Sequence, residues 1–376
     1  MKPELINQGS YGCIYKPGIK CNIEDEEIKE NYISKVQINN KFAKKELLIS
    51  KKIVEKIKNY DRYFSPIINF CDRDLDIKMV GEEINKCEAL KNSNGEIDKE
   101  EGIILNTLKY AGDKTLYDVL METKGNKRVY IRECLDTLIK LLESIEKLNE
   151  IGIIHMDIKA NNVMYGKSKA RPIIIDFGLS CDLDNLKKEE VFFTYGYDYV
   201  PWCIDITMIT YIVENKLEKR NITEESYKEH IIKVCDDFTN NNGSALEKEK
   251  LNEKIKKYFE KYIGKKYEEM YEDLLKKAKT WDNHSIIIMY YELIKQVFGE
   301  EEELKNILEK MKNQILSTPE ERKTTDVIIK ELKEEIKEIN KGKLEKNISK
   351  KEINEKMLYD IGLRNINSKR ILMNMN

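Results

Sequence analysis

Residues 152–164 read GIIHMDIKANNVM, a stretch in which one histidine, one aspartate, one lysine and two asparagines interrupt a segment that is otherwise apolar. A second apolar run, residues 173–175, leads straight into Asp176-Phe177-Gly178. A carboxylate that ends an apolar strand is costly to bury unless it meets a cation. Asn162 and Asp176 together offer two hard oxygen ligands, which suits Mg²⁺, an ion that keeps water and phosphate as its other ligands. Asp157 is then left to hold a hydroxyl nucleophile and accept its proton, and Lys159 to neutralise charge on a transferring phosphoryl group. Taken alone, these are also acceptable turn residues.

Two further polar clusters precede this one. In NQGSYGCIYK, residues 7–16, Gly9 and Gly12 permit a turn whose backbone N–H groups approach a phosphate closely. Two glycines beside a strand also make a plain hairpin. Lys35, in the strand-like run YISKV, is followed by Glu46 in a helical pattern. A lysine pointing into a cleft binds phosphate oxygens when a carboxylate orients it, but each residue alone reads as a solvated surface charge.

Around these clusters the texture changes along the chain. Residues 1–109 mix strand-like runs (CIYKP, YISKVQI, EGIILNTLKY) with one helix, NKFAKKELLISKKIVEKI. From about 115 the pattern is helical, with a long amphipathic helix ending at Gly152. Residues 206–280 form a polar, Lys/Glu/Asn-rich segment whose loop TNNNGSA divides two helical pieces. Leu251, Ile255, Phe259, Ile263, Met270 and Leu274 mark one stripe in the second piece. The stripe packs on its own domain or offers a partner helix contact. HSIIIMYYELIKQVF reads as a buried helix, and residues 336–376 as a charged extension.

The 376 residues suffice for two or three core-forming units. Lys+Arg 66 against Asp+Glu 68 argues against a nucleic-acid-binding face. No run approaches the ~20 apolar residues of a membrane span, and no signal peptide is evident at the N-terminus. The eight cysteines form no C-x-x-C pair, so they are expected as scattered thiols of a reducing, cytoplasmic setting without a zinc site.

The motifs resemble those of eukaryotic-type serine/threonine protein kinases. HMDIKANN resembles the catalytic loop H-R-D-x-K-x-x-N, and DFG matches the metal-binding motif. The stretch Gly9-Ser10-Tyr11-Gly12-Cys13-Ile14 resembles the glycine-rich loop, with Asn7 where its first glycine is usual. Lys35 and Glu46 take the places of the ATP-orienting lysine and its helix partner. LKYAGDKTL resembles the hinge, which implies Leu108 as gatekeeper and Tyr110 and Ala111 beside the adenine; Met164 joins the nucleotide contacts. Asp282 corresponds to the aspartate that braces the catalytic loop, and Arg322 to a structural arginine. The short glycine loop and the long insert resemble divergent kinases of large DNA viruses.

That resemblance implies an α+β, two-lobed protein kinase fold. The small antiparallel β lobe with one helix spans 1–109. The mainly helical lobe spans 110–335, with a helical insert at 206–280. ATP and Mg²⁺ are the implied cofactors, ATP lying between the lobes, and a protein serine or threonine the implied acceptor, with neither nucleic acid nor membrane as partner. Met156 departs from the pattern, standing where an arginine usually grips an activation-segment phosphate, so activity is expected to be independent of such phosphorylation. Val200-Pro201-Trp202 replaces A-P-E, leaving Arg322 without its glutamate: either Trp202 fills that space or Arg322 takes another partner, such as one from the insert. Ile33 stands where a small alanine roofs the adenine. Thr194 and Tyr195 compete for the position of the threonine that contacts base and lysine. An ATP-binding pseudokinase scaffold and a small-molecule hydroxyl kinase are the rival readings.

Overall fold

The computed structural model describes residues 2–9, 12–21, 31–71, 81–91, 102–122, 127–165, 171–241, 247–298 and 304–341. Ser10, Tyr11, the tip of the TNNNGSA loop and most of the charged extension lie outside them. The chain forms two compact units. One comprises Met1–Thr115 with Asn162–Ser180; the other comprises Leu116–Asn161 with Cys181–Asn376.

The first unit is built on an antiparallel sheet of β1 (Glu4–Gly9), β2 (Gly12–Lys16), β3 (Tyr32–Ile38), β4 (Ile67–Phe70) and β5 (Ile103–Lys109), in the order β1-β2-β3-β5-β4. Strand β3 lies between two neighbours, pairing Lys35 with Ile14 on one side and Asn106 on the other. Side chains alternate across a strand, so Val36 enters an apolar cluster with Cys13, Tyr15, Leu90 and Leu105, while Lys35 points to the opposite face. Helix α1 (Lys41–Lys56) starts at Asn40, whose side chain accepts the amides of Phe42 and Ala43, both at 3.0 Å. Phe42, Glu46, Ile49 and Ile53 recur at helical spacing and are all buried. Glu46 therefore sits in the inward stripe of its helix. A small sheet of β6 (Lys114–Thr115), β8 (Val163–Tyr165) and β9 (Ile173–Ile174) completes the unit.

The cysteines correct the expectation of scattered thiols. Cys13–Cys87 and Cys21–Cys71 are disulfides within this unit, whereas Cys134, Cys181, Cys203 and Cys235 are buried cysteines of the other that are not disulfide-bonded. The fold brings the paired Cα atoms to 5.9 and 5.6 Å, the separation a bridge needs.

In the second unit, α2 (Leu116–Glu122) and α3 (Lys127–Glu150) precede the short strand β7 (Ile153–Ile154), which pairs with β10 (Cys181–Asp182). Gly152 closes α3 at φ +72°, a left-handed conformation that glycine adopts without penalty. Then follow α4 (Lys188–Val191), α5 (Ile204–Glu214), α6 (Glu224–Ser226), α7 (Ile232–Asn241), α8 (Lys248–Phe259), α9 (Tyr267–Leu275), α10 (Trp281–Phe298), α11 (Lys305–Ile315) and α12 (Thr325–Lys341). Helix α10 packs against α3 and α11, and the Tyr290 hydroxyl donates to Thr137 Oγ1 at 2.8 Å. The polar segment assigned to 206–280 opens on a helix that is buried on every face: residues 204–213 of α5 are all buried, and Thr207 and Thr210 return their hydroxyls to carbonyls of their own turn. The α8 stripe of Leu251, Ile255 and Phe259 is buried within the unit. Among the described residues, no helix is long and apolar enough to cross a membrane.

Candidate active site

Three of the sequence-derived residues meet in the first unit. Lys35 Nζ lies 2.8 and 2.9 Å from the two oxygens of Glu46 and 3.2 Å from Asp176 Oδ1. Lys35 and Glu46 are buried, and the Asp176 side chain is 30% exposed. Burial works against the Lys35 ammonium, but the charges of Asp176 and Glu46 outweigh it and hold its pKa above the ordinary lysine range. Burial pushes Glu46 upward, Asp176 adds to that shift, and Lys35 opposes it. Two carboxylates share one ammonium, and Asp176 is the more exposed of the two.

Asp176 has φ +64°, a conformation that costs a non-glycine residue about 1 kcal/mol or more and recurs at functional sites. Asn162 is held beside the same strand end. It ends the single turn Ala160–Asn162, its carbonyl accepts the amide of Ile175 at 2.9 Å, and the next residue, Val163, pairs with Ile174 across β8 and β9. An amide oxygen and a carboxylate are hard donors and fit Mg²⁺. Two protein ligands are few, yet adequate for an ion that retains water and phosphate.

Strands β1 and β2 pair antiparallel, with Gly9 opposite Gly12. A Cβ on Gly12 would lie 2.4 Å from the Val36 carbonyl oxygen, so this position excludes a side chain, whereas a Cβ on Gly9 would meet nothing within 4 Å. Asn7 follows a register shift in β1 and is exposed. Ile14 pairs with Lys35 across the sheet. Leu108 is buried on β5 between Ile33 and Ile67. Ala111 is buried, and the Tyr110 ring lies beneath Lys16 Nζ at 3.5 Å while its hydroxyl donates to Asp113. Met164 is half-buried on β8, paired with Thr115 and Ile173.

The second unit carries the remaining pair. Lys159 Nζ stands 3.1 Å from Asp157 Oδ1. The loop that holds them is suspended from Asp282, in the first turn of α10. His155 and Met156 donate their amides to its two oxygens at 2.7 and 2.8 Å, and the Asp157 amide donates to His155 Nδ1 at 3.2 Å. Burial raises the Asp282 pKa to about 6 against the pull of those amides, and the charge of Asp157 adds to the rise. Met156 is 1% exposed at φ +62°, so this position buries a methionine in a left-handed conformation. Trp202 Nε1 donates to the Met156 carbonyl at 2.9 Å.

Two contacts were not legible in the motifs. The Tyr199 hydroxyl donates to Asp157 Oδ1. Arg322 pairs with Asp205, a residue with no exposed surface that also accepts Trp281 Nε1 at 3.2 Å. Burial opposes the Arg322 charge, and Asp205 more than restores it, keeping the guanidinium's pKa above its ordinary value. So Trp202 does pack in the A-P-E position, but the arginine's partner is an aspartate three residues further on. The signal for it was an acidic residue in the first turn of an otherwise apolar helix.

Comparison with known proteins is consistent with this arrangement. Residues 97–211 match the protein kinase domain family. Probable serine/threonine-protein kinase fnkE of Dictyostelium discoideum is 30% identical over 94 residues, which is 24% of this chain and 7% of that protein. Probable serine/threonine-protein kinase fnkB of the same organism is 37% identical over 73 residues, 19% of this chain and 13% of that protein. The matches thus span a small part of the length of these relatives.

Proposed function

We propose, on the premise that this chain carries a protein kinase domain of the eukaryotic serine/threonine type in its two-lobed α+β fold, that it transfers the γ-phosphoryl group of ATP to serine or threonine hydroxyls of proteins. The observation that carries this reading is the buried Lys35 amine, gripped by both oxygens of Glu46 and within 3.2 Å of Asp176. A lysine held in this way is pre-oriented for phosphate oxygens and loses little freedom when it binds them.

In this reading Lys35, aligned by Glu46, takes the α- and β-phosphates of ATP, and the Gly9–Gly12 turn covers the phosphates with backbone N–H groups. Asn162 and Asp176 would hold Mg²⁺, which neutralises phosphate charge when bound. Asp157 orients the acceptor hydroxyl and takes up its proton. Lys159 offsets the negative charge that develops during transfer.

The test is transfer of radiolabel from γ-labelled ATP to a serine/threonine peptide library with Mg²⁺ present, wild type beside Asp157→Asn. Wild type is expected to label the library, and the variant to lose about a hundredfold or more. Equal labelling by the two proteins, or none by wild type, would overturn the reading. Binding of Mg·ATP without transfer would instead favour a scaffold.

A further inference from the structure

Asp157 Oδ1 receives two donors from its own unit, the Lys159 ammonium at 3.1 Å and the phenol of Tyr199. The phenol is fixed from several directions. Tyr199 is 2% exposed. Its ring meets that of Trp202 edge to face at 5.1 Å, and its carbonyl accepts the Trp202 amide at 3.0 Å. Trp202 in turn donates to the carbonyl of Met156, the residue before Asp157. Lys159 Nζ stands 5.9 Å from the centre of the Tyr199 ring, so base, lysine and phenol form one cluster.

Neither of the two nearby side chains that the sequence offered for a hydroxyl at this place supplies it. Tyr195 donates its hydroxyl to Asp237 at 2.9 Å and its amide to Glu214 at 3.0 Å. Thr194 Oγ1 is buried with no hydrogen-bond partner among the described residues.

Building on the kinase reading above, we infer that Tyr199 is a positioning residue for phosphoryl transfer: its phenol and Lys159 together anchor Oδ1 of Asp157 and so aim the other carboxylate oxygen at the acceptor hydroxyl. A phenol that merely stood in for substrate would have to leave, and a fully buried ring locked against Trp202 is not arranged to do so. The carboxylate therefore keeps one donor from the 199–202 segment throughout turnover, and the placement of that segment sets the aim of the base.

The experiment compares wild type and Tyr199→Phe, both full-length, with Mg·ATP and dephosphorylated casein. Phenylalanine keeps the ring contact with Trp202 and removes only the hydroxyl. A hydrogen bond to a charged group corresponds to about ten- to a hundredfold, and kcat is expected to fall by that factor with KM for ATP within about twofold. Loss of a donor to the carboxylate favours its protonated form, so the acid limb of the kcat profile should move to higher pH. A purely structural role would reduce the active fraction without moving that limb. Thr194→Val and Tyr195→Phe are expected to leave the limb in place. If Tyr199→Phe does not melt cooperatively, Tyr199→His, which returns a ring-borne donor, replaces it; the limb should then stay at its wild-type position, and displacement would overturn the proposal. An unchanged kcat and limb in Tyr199→Phe, or a raised kcat, would overturn the role of Tyr199 and leave the kinase reading intact. A wild type that transfers no phosphate would overturn both.

Discussion

His284 lies one turn into α10 with neither ring nitrogen hydrogen-bonded among the described residues. Burial, aided by the Arg322 charge, lowers its pKa from 6.5 to about 3. The folded chain thus refuses a proton that the unfolded chain accepts below pH 6.5, and this group weakens the fold as pH falls from 6.5 toward 3, by roughly 1.4 kcal/mol per unit. Asp282, two residues earlier, acts in the opposite sense: its folded pKa of about 6 exceeds the ordinary 3.8, so acidification through that interval favours the fold. Replacing His284 by Gln isolates the first effect. In urea unfolding at pH 7, 6 and 5, the variant should gain on wild type by about 1.4 kcal/mol per unit below 6.5; a pH-independent difference would refute the assignment. At this scale Lys35, Glu46, Asp157, Lys159, Asn162 and Asp176 could be nominated from the sequence, because polar groups that interrupt apolar runs have few reasons to be there. Tyr199 could not. Its contact is made 42 residues from Asp157, and tyrosines abound in this chain.

Elements were legible where the residue pattern had one period. YISKVQI became β3 as read, and the long amphipathic helix ends before Gly152 as expected. Strands β1 and β4 were missed because each lies at an edge of the sheet. An edge strand has a neighbour on one side only and little side-chain surface to bury; β1 is mostly exposed along its length and β4 over its second half, so no long apolar run marks either. Helix α5 was hidden within a polar stretch, although it is the piece the unit buries most completely. Its first turn is fastened to the residue 316–325 region by the Asp205–Arg322 pair, both partners nearly devoid of exposed surface. Leaving one member of a buried pair alone costs about 3–5 kcal/mol, whereas replacing both with apolar groups is often neutral. Arg322→Met and Asp205→Leu should each lower unfolding stability by that amount, and the double substitution should recover most of it. Additive losses in the double variant would show that the pair is not coupled.

At the level of the whole molecule, nothing in the linear order of the cysteines hints that oxidised and reduced sulfur are partitioned between the two units. Bridges spanning 74 and 50 residues look like isolated thiols in a linear reading, and only the sheet makes neighbours of them. Alkylation followed by non-reducing peptide mapping should recover Cys13–Cys87 and Cys21–Cys71, with Cys134, Cys181, Cys203 and Cys235 modified only after unfolding. Dithiothreitol should destabilise the Lys35-bearing unit by on the order of 2–4 kcal/mol per bridge, seen as earlier proteolysis within residues 2–115. Eight alkylated thiols in unfolded, unreduced protein would rule out the pairing.

Cys13 adjoins Gly12, one strand away from Lys35, so the bond to Cys87 braces the very sheet that presents the amine. A phosphotransfer measurement made in customary millimolar thiol reductant would then interrogate a different molecule from one made in its absence. The buffer's electron supply becomes a variable of the enzymology, to be fixed before any rate is compared.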